Sequence, residues 1–195
     1  MIILGSKLQN TPIMSLQTGG EIAKATQAII DPESLAIIGY IVDGPLVSAQ
    51  ENGTILRIAD VRELSDLGFI VDSIDELVNP DDIIKLKDIY DLGFRLRGIN
   101  VLDERRKKLG KVTDYTVETG NFVVQQLTVH RPLLRSFNDT ELVIHRSQII
   151  EVSSNAIVVH SEAKIPEPSR AEVTGAYVNP FRKSNPAAES VKTRE

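Results

Sequence analysis

Leu109-Gly-Lys-Val-Thr-Asp-Tyr-Thr-Val-Glu-Thr-Gly-Asn-Phe-Val-Val-Gln-Gln-Leu-Thr-Val129 reads as a β-hairpin. Turn residues Thr119-Gly120-Asn121 separate two runs rich in β-branched and aromatic residues. Residues two apart on a strand share a face. In the second run Phe122 and Val124 set one phase, and Leu127 and Val129 set the other. The phase slips near Gln125-Gln126, as it does where a β-bulge adds one residue to a ladder. Such bends are what a small β-barrel needs.

The same stretch occurs a second time, worn, from Ile22 to Val42, turning at Asp31-Pro32-Glu33-Ser34. At a shift of 87, Leu109, Val112, Tyr115 and Val117 fall on Ile22, Ala25, Ala28 and Ile30. Phe122, Val124, Leu127 and Val129 fall on Leu35, Ile37, Tyr40 and Val42. The phase slip recurs between Ile37 and Tyr40, around Gly39. Ile144, Ile149 and Val152 match Leu56, Val61 and Leu64 at a shift of 88, and Leu92 and Leu96 match Leu4 and Leu8. A period near 88 in 195 residues predicts two units, residues 1–78 and 92–163. Units that small bury a modest share of their surface, so they are expected to pack together.

Between them, Asn79-Pro80-Asp81-Asp82 is a helix start: a capping Asn, Pro at the first helical position, acids at the positive end of the dipole. It predicts a linking helix within 79–91, running from Pro80 to about Tyr90. Val61 and Leu64, three apart, suggest one helical turn over Ala59–Leu64, and Ser147 is the expected cap of a turn at 146–150. From 164 to 195, Pro166, Pro168, Pro180 and Pro186 interrupt a segment poor in apolar residues, which reads as a disordered tail.

The order Gly98, Val101-Leu-Asp103, Leu109-Gly-Lys-Val-Thr-Asp114, a hairpin, then Ile144-His-Arg-Ser-Gln-Ile149 before a last strand resembles the PRC-barrel. That small β-barrel occurs in the H subunit of photosynthetic reaction centres and in ribosome maturation factors of the RimM kind. The resemblance covers the second unit almost entirely and the first more loosely, where Ala23 and Lys24 replace Gly110 and Lys111. It implies a mainly β chain of two tandem small barrels joined by a short helix. It also implies a non-catalytic adaptor or scaffold that acts through protein–protein contact.

The absence of cysteine excludes disulfides, thiolate metal sites and cysteine catalysis. No apolar run approaches the ~20 residues of a membrane helix, and no signal peptide is evident at the first residues, so a cytoplasmic protein without membrane insertion is expected. The net charge of −5 is divided: residues 1–88 hold 6 Lys/Arg against 14 Asp/Glu, and residues 89–161 hold 10 against 8. Such a division can orient one half toward a partner.

His130, His145 and His160 each stand in the strand phase opposite an apolar neighbour, so they are expected to face away from the core. No metal, cofactor or catalytic residue is assigned. Candidate partner contacts are the basic turn Arg105, Arg106, Lys107, Lys108 with Lys111; the loop residues Leu133, Leu134 and Arg135; and the tail patch Tyr177, Phe181, Arg182 and Lys183. The basic turn is the only dense cationic cluster, and it opens a second reading: an RNA- or ribosome-associated assembly factor. Aromatics that would stack on bases are lacking beside it, apart from Tyr115.

Overall fold

Alternating apolar residues place strands in two matching series. The structure, a computed structural model, describes residues 1–45, 47, 53–131 and 141–160. The tail at 164–195 lies outside these. Strands β1 (Ile2–Leu4), β2 (Thr11–Ser15), β3 (Gly20–Ile30), β4 (Ile37–Asp43), β5 (Thr54–Arg57), β6 (Glu63–Ser65), β7 (Gly68–Val71) and β8 (Leu77–Val78) come first. The helix α1 (Ile84–Asp91) follows. Then come β9 (Asn100–Asp103), β10 (Lys108–Glu118), β11 (Val123–His130), β12 (Glu141–His145), β13 (Ile149–Val152) and β14 (Ala156–Val159).

One seven-stranded sheet runs β6-β7-β2-β3-β4-β5-β8. The other runs β13-β14-β9-β10-β11-β12, with β1 added to β10. Six strands of one correspond in order to six of the other, down to one parallel pair in each, β2 with β7 and β9 with β14. The fold is mainly β with a curled, half-barrel sheet. The terminal strands of each path do not pair with one another among the described residues, so the ladders remain open at those ends.

The bulges fall at equivalent places. Gln125 is the extra residue between Val124 and Gln126 on β11, as Ile38 is between Ile37 and Gly39 on β4. Thr113 and Thr26 are extra on β10 and β3, and Leu109 and Ile22 near their starts. Both bulged threonines use the hydroxyl in the same way: Thr26 Oγ1 donates to the Ile41 carbonyl at 2.9 Å, and Thr113 Oγ1 to the Thr128 carbonyl at 3.2 Å. Each hydroxyl bonds across the ladder where the bulge breaks its regular pairing.

The two hairpins also meet each other. Leu35 and Phe122, 87 positions apart, both take a left-handed backbone, with φ of 55° and 52°. That conformation is costly for a bulky side chain and persists only where its surroundings impose it. Here the Ile37 amide donates to the Phe122 carbonyl at 2.8 Å, and the Val124 amide to the Leu35 carbonyl at 3.0 Å. Ala36 and Val123 form an antiparallel bridge between these two bonds. Phe122 thereby reaches the core under the first sheet: its ring centroid lies 6.2 Å from that of Phe69, which lies 5.2 Å from that of Tyr40. Buried residues of both sheets form one continuous hydrophobic cluster, from Leu8 and Ile13 to Ile157 and Val159.

The connections differ from expectation in three places. The run after Asn79 is not one helix. Asn79 caps a 3-10 turn (Pro80–Asp82) by accepting from the Asp81 amide at 2.9 Å, then Ile83 is extended and α1 begins. The helical turn expected over Ala59–Leu64 is a 3-10 turn at Ile58–Asp60, closed by the Arg57–Asp60 ion pair, and β6 follows directly. At Arg146–Gln148 the cap is His145 rather than Ser147: the His145 ring accepts from the Ser147 amide, while Gln148 reaches back to the His145 amide.

Candidate functional site

Two surfaces stand out by their geometry and charge. The first lies along β3. On β10, the segment Lys108–Lys111 pairs with β9 and Thr116–Glu118 pairs with β1, so the edge away from β11 is occupied at both ends. On β3, β2 covers Gly20–Ala25, and no described strand pairs with Gln27–Ile30 on that edge. Two adjoining cavities open there instead, of about 460 and about 340 Å³. Gln27, Ala28, Ile30 and Arg95 border both.

Local sequence explains the difference. Over β10 the chain passes from β1 into a 3-10 turn (Gly5–Leu8), and Gly5 lies so close to the Tyr115 ring that any Cβ would overlap it. Ser6 fastens the turn: its amide and hydroxyl donate to the Asp114 carboxylate at 3.1 and 2.5 Å. At the matching place on β3 stands Ala28, a methyl in place of a phenol ring, with Gln27 in place of Asp114. Gly93–Arg97 passes beside it with Phe94 and Leu96 buried and Arg95 and Arg97 exposed. Arg97 is engaged, donating to the Thr113 carbonyl at 2.9 Å and to Gln9 Oε1 at 3.4 Å. Tyr40 also lines the larger cavity, and its buried hydroxyl has no hydrogen-bond partner among the described residues. Burial holds the Tyr40 phenol far above its ordinary range, with Tyr115 adding to the effect. Burial likewise pushes Tyr115 up to about 12, helped by the Asp114 charge and opposed by Arg97.

The second surface is the basic turn between β9 and β10. Asp103, nearly buried, organises it: its Oδ1 accepts from the Arg105 and Lys107 amides at 2.9 and 2.8 Å. Arg106, with φ of 61°, makes the reversal. All of Arg105, Arg106, Lys107, Lys108 and Lys111 are exposed. Acids interleave with them: Arg106 pairs with Glu151 at 3.0 Å, and Glu104 meets His160 Nδ1 at 2.5 Å.

His130, His145 and His160 are exposed. Among the described residues no group of three or more His, Asp or Glu side chains is placed to hold a metal ion. No helix among them is long and apolar enough to cross a membrane. Leu133, Leu134, Arg135, Tyr177, Phe181, Arg182 and Lys183 lie outside the described residues. The β3 edge is not among the contacts expected from sequence. Its signal was the alignment itself, which sets Ala28 against Tyr115. The chain matches no protein-family model, and no curated protein is significantly similar to it.

Proposed function

We propose that this chain is a non-catalytic adaptor made of two tandem PRC-barrel-like units, and that it works by holding another protein. The matching strand order and the bulges repeated at a spacing of 87 support the tandem reading. The observation that carries the binding role is the groove along Gln27–Ile30: an unpaired strand edge with an apolar floor, at a place the other sheet covers with β1 and the 3-10 turn after it. Groove and edge together suit a polypeptide, because main-chain bonds supply affinity and side-chain pockets supply selectivity. The RNA reading is weaker for the turn as built, since Glu104 and Glu151 stand among its cations and would repel phosphates.

Affinity capture on the full chain from its native cell, with and without nuclease, tests this reading. A stoichiometric protein partner that survives nuclease is expected. Recovery only of nucleic acid, lost steeply with rising salt in a filter assay, would favour the basic turn and an assembly-factor role instead.

A further inference from the structure

The groove's ligand class follows from comparing the two sheets. On β10 the site is occupied by the chain's own β1, antiparallel, with Ile2 opposite Glu118, Ile3 opposite Val117 and Leu4 opposite Thr116. The positions that match Thr116–Glu118 are Ile29 and Ile30, the last of β3, and Asp31, which follows it. The residues that would supply a strand to them by the same spacing, Tyr90 to Leu92, form the end of α1 and the turn after it. The chain therefore does not cover this edge as it covers the other. An unpaired strand edge presents amides and carbonyls that another strand can satisfy.

We infer that the Gln27–Ile30 edge of β3 binds an extended peptide of a partner protein, apolar at its centre and acidic at its flank, which joins the sheet as an antiparallel strand. The inference rests on the adaptor reading for its biological setting. The centre is apolar because Ala28, Ile30 and Leu96 line the larger cavity, and Ala28 leaves the space that the Tyr115 ring fills on the other sheet. The occupant of the matching edge, Ile-Ile-Leu, shows the kind of segment that the geometry accepts. The flank is acidic because Arg95, exposed and without an ion-pair partner among the described residues, borders both cavities. Arg97 joins Arg95 in the larger cavity, which no acid lines, whereas Asp91 borders the smaller one, so the acidic flank belongs over the larger cavity.

The probe is a fluorescein-labelled nonapeptide with Ile-Ile-Leu at its centre and aspartates on both sides, titrated into the full chain and read by anisotropy. Saturable binding is expected, with the lysine-flanked version weaker by about fivefold or more. A version with proline replacing the central Ile, which removes a ladder donor, is expected not to bind. Ala28→Tyr, which places a phenol in the groove, is expected to abolish binding. Arg95→Glu is expected to reverse the preference between aspartate and lysine flanks. Circular dichroism reports whether each variant folds, and if Ala28→Tyr does not, the reversal in Arg95→Glu decides.

Equal binding of the proline peptide, or flank preference unmoved by Arg95→Glu, would overturn the site. Self-association of the native chain that Ala28→Tyr abolishes would assign the edge to a second copy and overturn the partner peptide. A cellular protein captured equally by native chain and Ala28→Tyr would retain the adaptor and remove this edge from it. Peptide binding with no cellular protein captured would retain the edge and remove the adaptor.

Discussion

Gly110 lies where β10 passes close to β11, and a Cβ there would overlap the His130 carbonyl and crowd Val129. The first sheet solves the same crossing differently. Ala23 stands at the glycine's place, and the residue without a side chain is Gly44, just past the end of the facing strand β4, where a Cβ would meet the Ala23 Cα at 2.9 Å. One of the two facing positions must lack a side chain. Gly110→Val is therefore expected to destabilise the fold by about 1–3 kcal/mol through overpacking, measured by chemical denaturation. Unchanged stability would show that the strands separate there at little cost. Tyr115 makes a second residue-scale prediction. Its phenol is held protonated up to about pH 12 in the folded chain, against about 10 unfolded. The folded state keeps its proton longer, so this contribution is complete below pH 10 and is lost as pH rises from 10 to 12. Stability should fall over that window, and Tyr115→Phe should flatten the fall. An equally steep decline in the variant would assign alkaline unfolding to other groups.

At the scale of elements, the hairpin bulge at Gln125 was legible because a one-residue slip inverts the faces of everything after it, and Phe122, Val124, Leu127 and Val129 record that inversion. The cap at Asn79 was legible for a local reason, since its carbonyl oxygen needs only the amide two residues on. The left-handed Leu35 and Phe122 were not legible. Neither side chain favours that conformation; it comes with the tight turns, as in the Leu35 amide bond to the Asp31 carbonyl, and with the hydrogen bonds that each hairpin makes to the other. Likewise β1 carries three residues and finds its partner on a strand more than a hundred positions away, beyond any window of periodicity. This seam predicts that Phe122→Ala costs about 3–5 kcal/mol, the range for removing a buried phenyl ring. Because the ring packs near Phe69 of the first sheet, amide exchange should quicken in both sheets of the variant. Faster exchange in the second sheet alone would mean that the seam carries no coupling.

At the scale of the whole molecule, each sheet borrows from the other. The second takes its β1 edge from the chain's first residues, and the first takes Phe122 into its aromatic row. A fragment of residues 92–163 would lose β1, the Gly5 cover over Tyr115 and the Ser6 bonds to Asp114 together. It should melt well below residues 1–163, and residues 1–163 should unfold in one transition seen identically by far-ultraviolet dichroism and by tyrosine fluorescence. Equal melting temperatures for the two fragments would show that the sheets fold independently. The groove belongs to this scale too: it exists because the chain has one β1 and two edges of the same kind to cover.

The pairing of β1 with β10 also sets a timetable for biosynthesis. The Thr119 hydroxyl bonds the Met1 carbonyl, a partner 118 positions earlier in the chain. At the usual pace of translation, Ile2–Leu4 waits on the order of ten seconds before Thr116–Glu118 has been made. In the last part of that interval, after Val78 has been added, the first sheet's strands have all been made while its neighbour's have not, and the Ile-Ile-Leu segment coexists with the bare edge of β3. A nascent chain stalled before Lys108 should hold those residues on β3 or on a chaperone. Release of translation would then be the event that moves them across.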